Sequence, residues 1–159
     1  KIRLLWQKNK MSACQERFVK DLVRHKLVVA IDGLAGHSNP DSRNYLLFLP
    51  NGQYDEITLL YANYLLRKNG HHVVYLGPSI PLDHLLSIKG ISEMDTIVVH
   101  TDAGFSHKEL AQYMDSLLHL FPDQQVLMLR ADPGQEPMRV NGRLKVIPMN
   151  TLPESLLSN

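Results

Sequence analysis

The chain has 159 residues, 44% of them hydrophobic and 21% charged, with a formal net charge of +1. That size fits one domain with a small appendage, and the composition is that of a folded globular chain rather than a disordered one. No apolar run approaches the ~20 residues of a membrane span, no secretory leader pattern opens the chain, and Cys14 is the only cysteine, which excludes an internal disulfide and makes a cytoplasmic setting the expectation.

The charge is uneven. Residues 1–26 hold eight Lys/Arg against Glu16 and Asp21, a balance of +6, which leaves −5 for the remainder. A basic end can face nucleic acid, but no DNA-reading motif accompanies it, so a solvated helix face is the expectation. Ile2, Leu4, Leu5 and Trp6 read as the end of a packed helix, and the start at Lys1 without an initiator Met reads as a fragment of something longer. Ser12 followed by Gln15 is a capping-box pattern, behind which Phe18, Val19, Leu22, Val23 and Leu27 form one helical stripe running on to about Leu34. Cys14 is expected to be at least half-buried on this helix. Gly33, Gly36, Ser38, Asn39 and Pro40 make a breaker cluster. Residues 1–38 are thus read as a helical segment, the remnant of a helical bundle, and residues 42–159 as the main domain. A helix pair of this size cannot bury a core alone, so it must dock on that domain, on further helices or on another subunit.

The main domain alternates strand and helix. Tyr45–Leu49 is a short apolar run backed by Pro50-Asn51-Gly52. Ile57, Leu60, Tyr61, Tyr64 and Leu65 recur at helical spacing, and Gly70 closes that helix. Val73–Leu76 is a β-branched and aromatic second strand, followed by a predicted loop over Gly77–Pro81. A helix is predicted from Pro81-Leu82-Asp83 through Leu85, Leu86 and Ile88, to end at Gly90. Thr96–His100 is the third strand, apolar on both faces as a central parallel strand should be. Ser106 with Glu109 is a second capping box, ahead of a helix carrying Leu110, Tyr113, Met114, Leu117 and Leu118. Gln125–Leu129 and Leu144–Ile147 are the fourth and fifth strands, and Pro153–Leu157 a short last helix. The pattern predicts an α/β doubly wound, parallel five-stranded sheet of the Rossmann-like, flavodoxin-like kind, in strand order 2-1-3-4-5. Ligands of such sheets bind outside the carboxyl ends of the strands, which points to the loops after the first two strands.

Those loops exclude several chemistries. The turn after the first strand has one glycine and no G-x-G-x-x-G, and no G-x-x-x-x-G-K-[ST] occurs anywhere. Asp102 follows the third strand, but the first strand ends in Leu49-Pro50, so the acid pair of a phospho-accepting Mg²⁺ site is absent. His100, Asp102 and His107 lie near one strand end and could meet, although a polar loop is the plainer reading. His71 and His72 are adjacent and leave opposite faces of a strand. Ser79 and Ser106 have no base at a telling spacing, so no enzyme is expected.

The run Leu65-Leu66-Arg67-Lys68-Asn69-Gly70 leading to Val74-Tyr75-Leu76-Gly77-Pro78 and then Ile80-Pro81-Leu82 resembles the C-terminal effector region of MerR-type transcription regulators that carry a cobalamin-binding domain, the class that includes light-sensing adenosylcobalamin repressors. Trp6 and Glu16 keep the spacing of that family's upper-face residues, with Arg17 where a His would stand. The resemblance implies a helical bundle before a cobalamin-binding-like α/β domain, and a DNA-binding winged helix-turn-helix outside this chain. It also implies a lower cobalt ligand, a His oriented by an acid, and a glycine that leaves room for the nucleotide tail. At those three places stand Asp55, Gln53 and Thr58. Gln53 lacks the carboxylate that would orient a ligand, Asp55 is a poor substitute for imidazole on cobalt, and Thr58 adds bulk. The small turns after the third and fourth strands correspond to Thr101-Asp102-Ala103-Gly104 and to Arg130-Ala131-Asp132. The degenerate cobalamin positions are therefore Trp6, Glu16, Arg17, Gln53, Asp55, Thr58, Thr101, Ala103, Arg130 and Ala131. The expectation is a regulatory effector and oligomerisation domain that no longer binds cobalamin, homo-oligomeric, open to another small ligand or partner protein, and not membrane-bound. The alternative is a cobalamin sensor that keeps the cofactor without the His lower ligand. A corrinoid carrier or mutase subunit is disfavoured, because a carrier needs that His.

Overall fold

A computed structural model describes residues 12–34, 39–88, 90–101, 105–130 and 142–148. Helix α1 (Ala13–Asp32) opens the described chain; Ser12 caps it, accepting from the Gln15 backbone N–H while Gln15 returns a bond to the Ser12 N–H. The α/β part follows as β1 (Asn44–Pro50), α2 (Ile57–Lys68), β2 (His72–Ile80), the single turn α3 (Leu82–Leu85), a 3₁₀ turn at Ile91–Glu93, β3 (Thr96–His100), α4 (His107–Leu120), β4 (Gln125–Arg130) and β5 (Leu144–Pro148). All strand pairs are parallel and the sheet order is β2-β1-β3-β4-β5, as the alternation predicts.

Alternate residues of each strand point to opposite faces, and two apolar layers result. On one face Tyr45, Leu47 and Leu49 of β1 pack with Val98, Leu127 and Ile147 beneath Leu59, Ala62, Leu65 and Leu66 of α2. On the other Leu46, Phe48, Ile97, Val99, Val126 and Met128 meet Leu85 of α3 and Leu110, Met114, Leu117 and Leu118 of α4. All five residues of β3 are buried, which its position between β1 and β4 requires. Helix α1 packs outside α2 and forms an extra layer.

Three predicted features are corrected. The Gly77–Pro81 loop is largely strand: β2 runs on to Ile80 and stays paired, Phe48 with Gly77 and Pro50 with Ile80, through two register shifts. Gly77 (φ +89°) and Ser79 (φ +57°) supply the irregular backbone that absorbs the extra residues. The helix expected through Ile88 stops at Leu85, and Gly90, at φ +80°, opens the 3₁₀ turn instead of ending a helix. The α1 stripe splits: Val19, Val23 and Leu27 are half-buried, while Phe18 and Leu22 are exposed, as is Cys14, one helical turn before Phe18 on the same face. The short last helix lies outside the described residues.

Candidate functional site: the α1–α2 cleft at the β1 carboxyl end

The strand order reverses between β1 and β3, so the carboxyl ends of β1 and β3 mark the crevice where this topology takes ligands. On the β1 side the chain leaves the sheet at Pro50, turns at Gly52, and enters α2 at Glu56. Ser79 on β2 fastens this loop. Its hydroxyl accepts from the Gly52 N–H at 3.1 Å and donates to Asn51 Oδ1 at 3.1 Å, and its own N–H donates to the Gln53 carbonyl.

Helix α1 closes over the loop through charge. Lys20 Nζ donates to Asp55 Oδ2 at 2.8 Å and lies 3.3 Å from Glu16 Oε1. One turn further on, Arg24 Nε donates to Glu56 Oε1. The second oxygen of Glu56 accepts from the Tyr75 hydroxyl of β2 at 2.6 Å. The carboxylate of Glu56 is nearly enclosed, its residue 8% exposed, and donors from two different elements satisfy it. Its contacts perturb its neighbours. The hydrogen bond that Lys20 donates to Asp55 raises its ammonium above the ordinary value, against partial burial, with Glu16 adding to the effect. Burial, together with the Glu56 carboxylate, pushes the Tyr75 phenol far up, so Tyr75 remains a neutral donor. Glu56 also raises the Arg24 guanidinium.

The ten positions singled out in the sequence distribute as follows. Glu16 and Asp55 come together, joined by Lys20 between them. Gln53 is half-buried in the loop and Thr58 is buried in the first turn of α2. Arg17 is exposed on α1. Thr101 is buried past the end of β3, and Arg130 is half-buried at the end of β4. Trp6, Ala103 and Ala131 lie outside the described residues. Asp55 is more than the helix-start acid its position suggests, because Glu56 holds the N-cap position and Asp55 turns to Lys20. His100 is buried with Nδ1 2.9 Å from the Leu129 carbonyl, whereas His107 is exposed at the start of α4. Among the described residues no three His, Cys, Asp or Glu side chains group as a metal site.

Lys20, Arg24, Glu56 and Tyr75 escaped the sequence reading. The signal was nonetheless present. Lys20 and Arg24 stand four apart on one helix face, and two adjacent acids, Asp55-Glu56, stand in the acidic remainder of the chain.

No protein-family model matches the sequence, and a search of curated proteins finds no match. Among solved structures the chain is similar to a novel cobalamin-binding protein from Desulfitobacterium hafniense DCB-2, at 14% identity and a TM-score of 0.44, over 98% of this chain and 66% of that one. The chain thus spans just under two thirds of that protein's length, and at this distance the likeness carries no argument about ligand or role.

Proposed function

We propose that this chain is the regulatory effector and oligomerisation domain of a MerR-type transcription regulator, built on a cobalamin-binding-like α/β fold that no longer takes cobalamin. One observation carries the reading. Asp55 stands where the resemblance puts the lower cobalt ligand, and it is held at 2.8 Å by Lys20 of α1. A carboxylate neutralised by an ammonium is a weak donor to cobalt, and Arg24 on Glu56 spans the same cleft one helical turn further on. The donor set therefore does not fit the cofactor. In this reading the domain does no chemistry. It links copies of the regulator in the cytoplasm and responds to another small ligand or partner protein, while DNA is read by a helix-turn-helix domain outside this chain.

The test is direct. The purified chain is mixed with adenosylcobalamin or hydroxocobalamin, desalted, and its visible spectrum recorded. A colourless protein is expected from both. A coloured, stoichiometric complex would overturn the loss of cobalamin and favour a sensor that keeps the cofactor without a protein lower ligand.

A further inference from the structure

Helix α1 has two apolar sides. Val19, Val23, Leu27 and Ile31 are half-buried on the side that carries Lys20 and Arg24. At about 100° per residue, Phe18, Leu22, His25 and Val29 fall on roughly the opposite side. There Phe18 is 68% exposed, Leu22 50% and Val29 60%, with Val28 also exposed at the edge. Large apolar side chains in a row on an outer helix are an unsatisfied surface. Their spacing is four, three, four, the a/d seam of a two-stranded coiled coil, with Leu22 and Val29 at a and Phe18 and His25 at d.

We propose that this seam pairs with the same seam of a second copy of the chain, with the two α1 helices parallel. Charge selects that occupant and that direction. Asp21 falls at g and Lys26 at the following e, both exposed, one on each flank of the seam. In a parallel pair, g of one helix meets the next e of its partner. Asp21 therefore meets Lys26 of the second copy, and the two-fold axis makes the contact twice. An antiparallel pair centred on Leu22 and His25 sets Asp21 beside Val28 and Lys26 beside Val19, with no opposite charges matched. The inference deepens the oligomerisation part of the proposed function by naming its surface.

The full chain is tested by sedimentation equilibrium across the micromolar range, with circular dichroism of each variant to verify folding. The natural chain is expected to dimerise. Leu22→Glu should raise the dimer dissociation constant by at least about a hundredfold, since two buried leucines are lost from one layer. Asp21→Lys and Lys26→Asp should each weaken the dimer, on the order of tenfold, and the double variant D21K/K26D should recover most of the loss. Cys14, exposed and the only cysteine, reports direction. A flexible bismaleimide should join the two Cys14 thiols of a parallel pair, whereas the antiparallel pair separates them by roughly 28 Å along the axis at ~1.5 Å per residue. A chain that stays monomeric across that range overturns both this interface and the oligomerisation reading. An oligomer that survives Leu22→Glu, ignores the charge swap or fails to cross-link overturns this interface alone.

Discussion

Glu56 is the residue at which α1, α2 and β2 meet, and its two oxygens are unequal in worth. Arg24 approaches from the solvent side, its own side chain 51% exposed, so water and salt screen that pair. Tyr75 approaches from β2, and its hydroxyl is a neutral donor to a carboxylate that has little water left. A hydrogen bond to a charged, desolvated acceptor contributes more than an exposed ion pair. Tyr75→Phe should therefore lower the free energy of unfolding by about 1.5 kcal/mol, while Arg24→Met should lower it by no more than about 1 kcal/mol. Urea unfolding of the two variants checks the ranking, and an Arg24 loss larger than the Tyr75 loss contradicts it. The ranking was not legible in the sequence, because Tyr75 and Glu56 are nineteen positions apart on different elements. Only the sheet register, which sets Leu47 against Tyr75, brings β2 beside the helix that Glu56 opens.

Elements were more legible than contacts, and the reason is visible in which ones. Helices α1 and α4 each begin in a capping box, Ser12/Gln15 and Ser106/Glu109, and both boxes form. Local chemistry decides such ends, so sequence reveals them. The end of β2 is decided elsewhere: Gly77-Pro78-Ser79 looks like a turn, yet pairing with Phe48 and Pro50 keeps it in the sheet. Gly70 shows how local and distant requirements combine. Its φ of +78° closes α2 in the left-handed region, and a Cβ added there would stand 2.7 Å from Asn39 Cβ and 3.1 Å from Asn39 N. Asn39 is fixed in turn, because its Nδ2 donates to the Asn69 carbonyl at 3.0 Å. Gly52 has nearly the same φ, +80°, but nothing within 4 Å of an added Cβ. Gly52→Ala should therefore cost only the left-handed backbone penalty, about 1–2 kcal/mol. Gly70→Ala should cost clearly more, about 3 kcal/mol or above, since the clash adds to that penalty. Thermal or urea unfolding of the pair separates the two contributions, and equal losses would mean that Asn39 gives way freely.

At the scale of the whole molecule, the described residues form a tightly buried α/β core with the loosely held helix α1 outside it. The order of the sheet agrees with the one expected from strand–helix alternation and right-handed crossovers, but how α1 sits was not legible, since Phe18 and Leu22 read as one stripe with Val19, Val23 and Leu27 rather than as a separate apolar side. Charge decides which side faces inward: Lys20 and Arg24 lie on the side that meets Asp55 and Glu56. No residue of α1 is fully buried, whereas every residue of β3 is. Segments with few buried apolar contacts open locally, well below the free energy of global unfolding. Amide hydrogen exchange, at a concentration low enough to keep the chain monomeric, should therefore show Val19–Leu27 protected at least about a hundredfold less than Ile97–Val99. Replacing Lys20 and Arg24 together by Met keeps the aliphatic stems but removes both charges that hold the helix down. That variant should speed exchange in α1 several-fold further, on the order of the ~1 kcal/mol that two partly screened ion pairs supply, and leave Ile97–Val99 unchanged. The comparison is internal to each spectrum, so a general loss of stability cannot imitate it: such a loss would raise exchange in β3 as well. If α1 and β3 exchange at one common rate in the natural chain, the helix is an integral part of the folding unit, and the ion pairs at Asp55 and Glu56 are not what keeps it closed over the cleft.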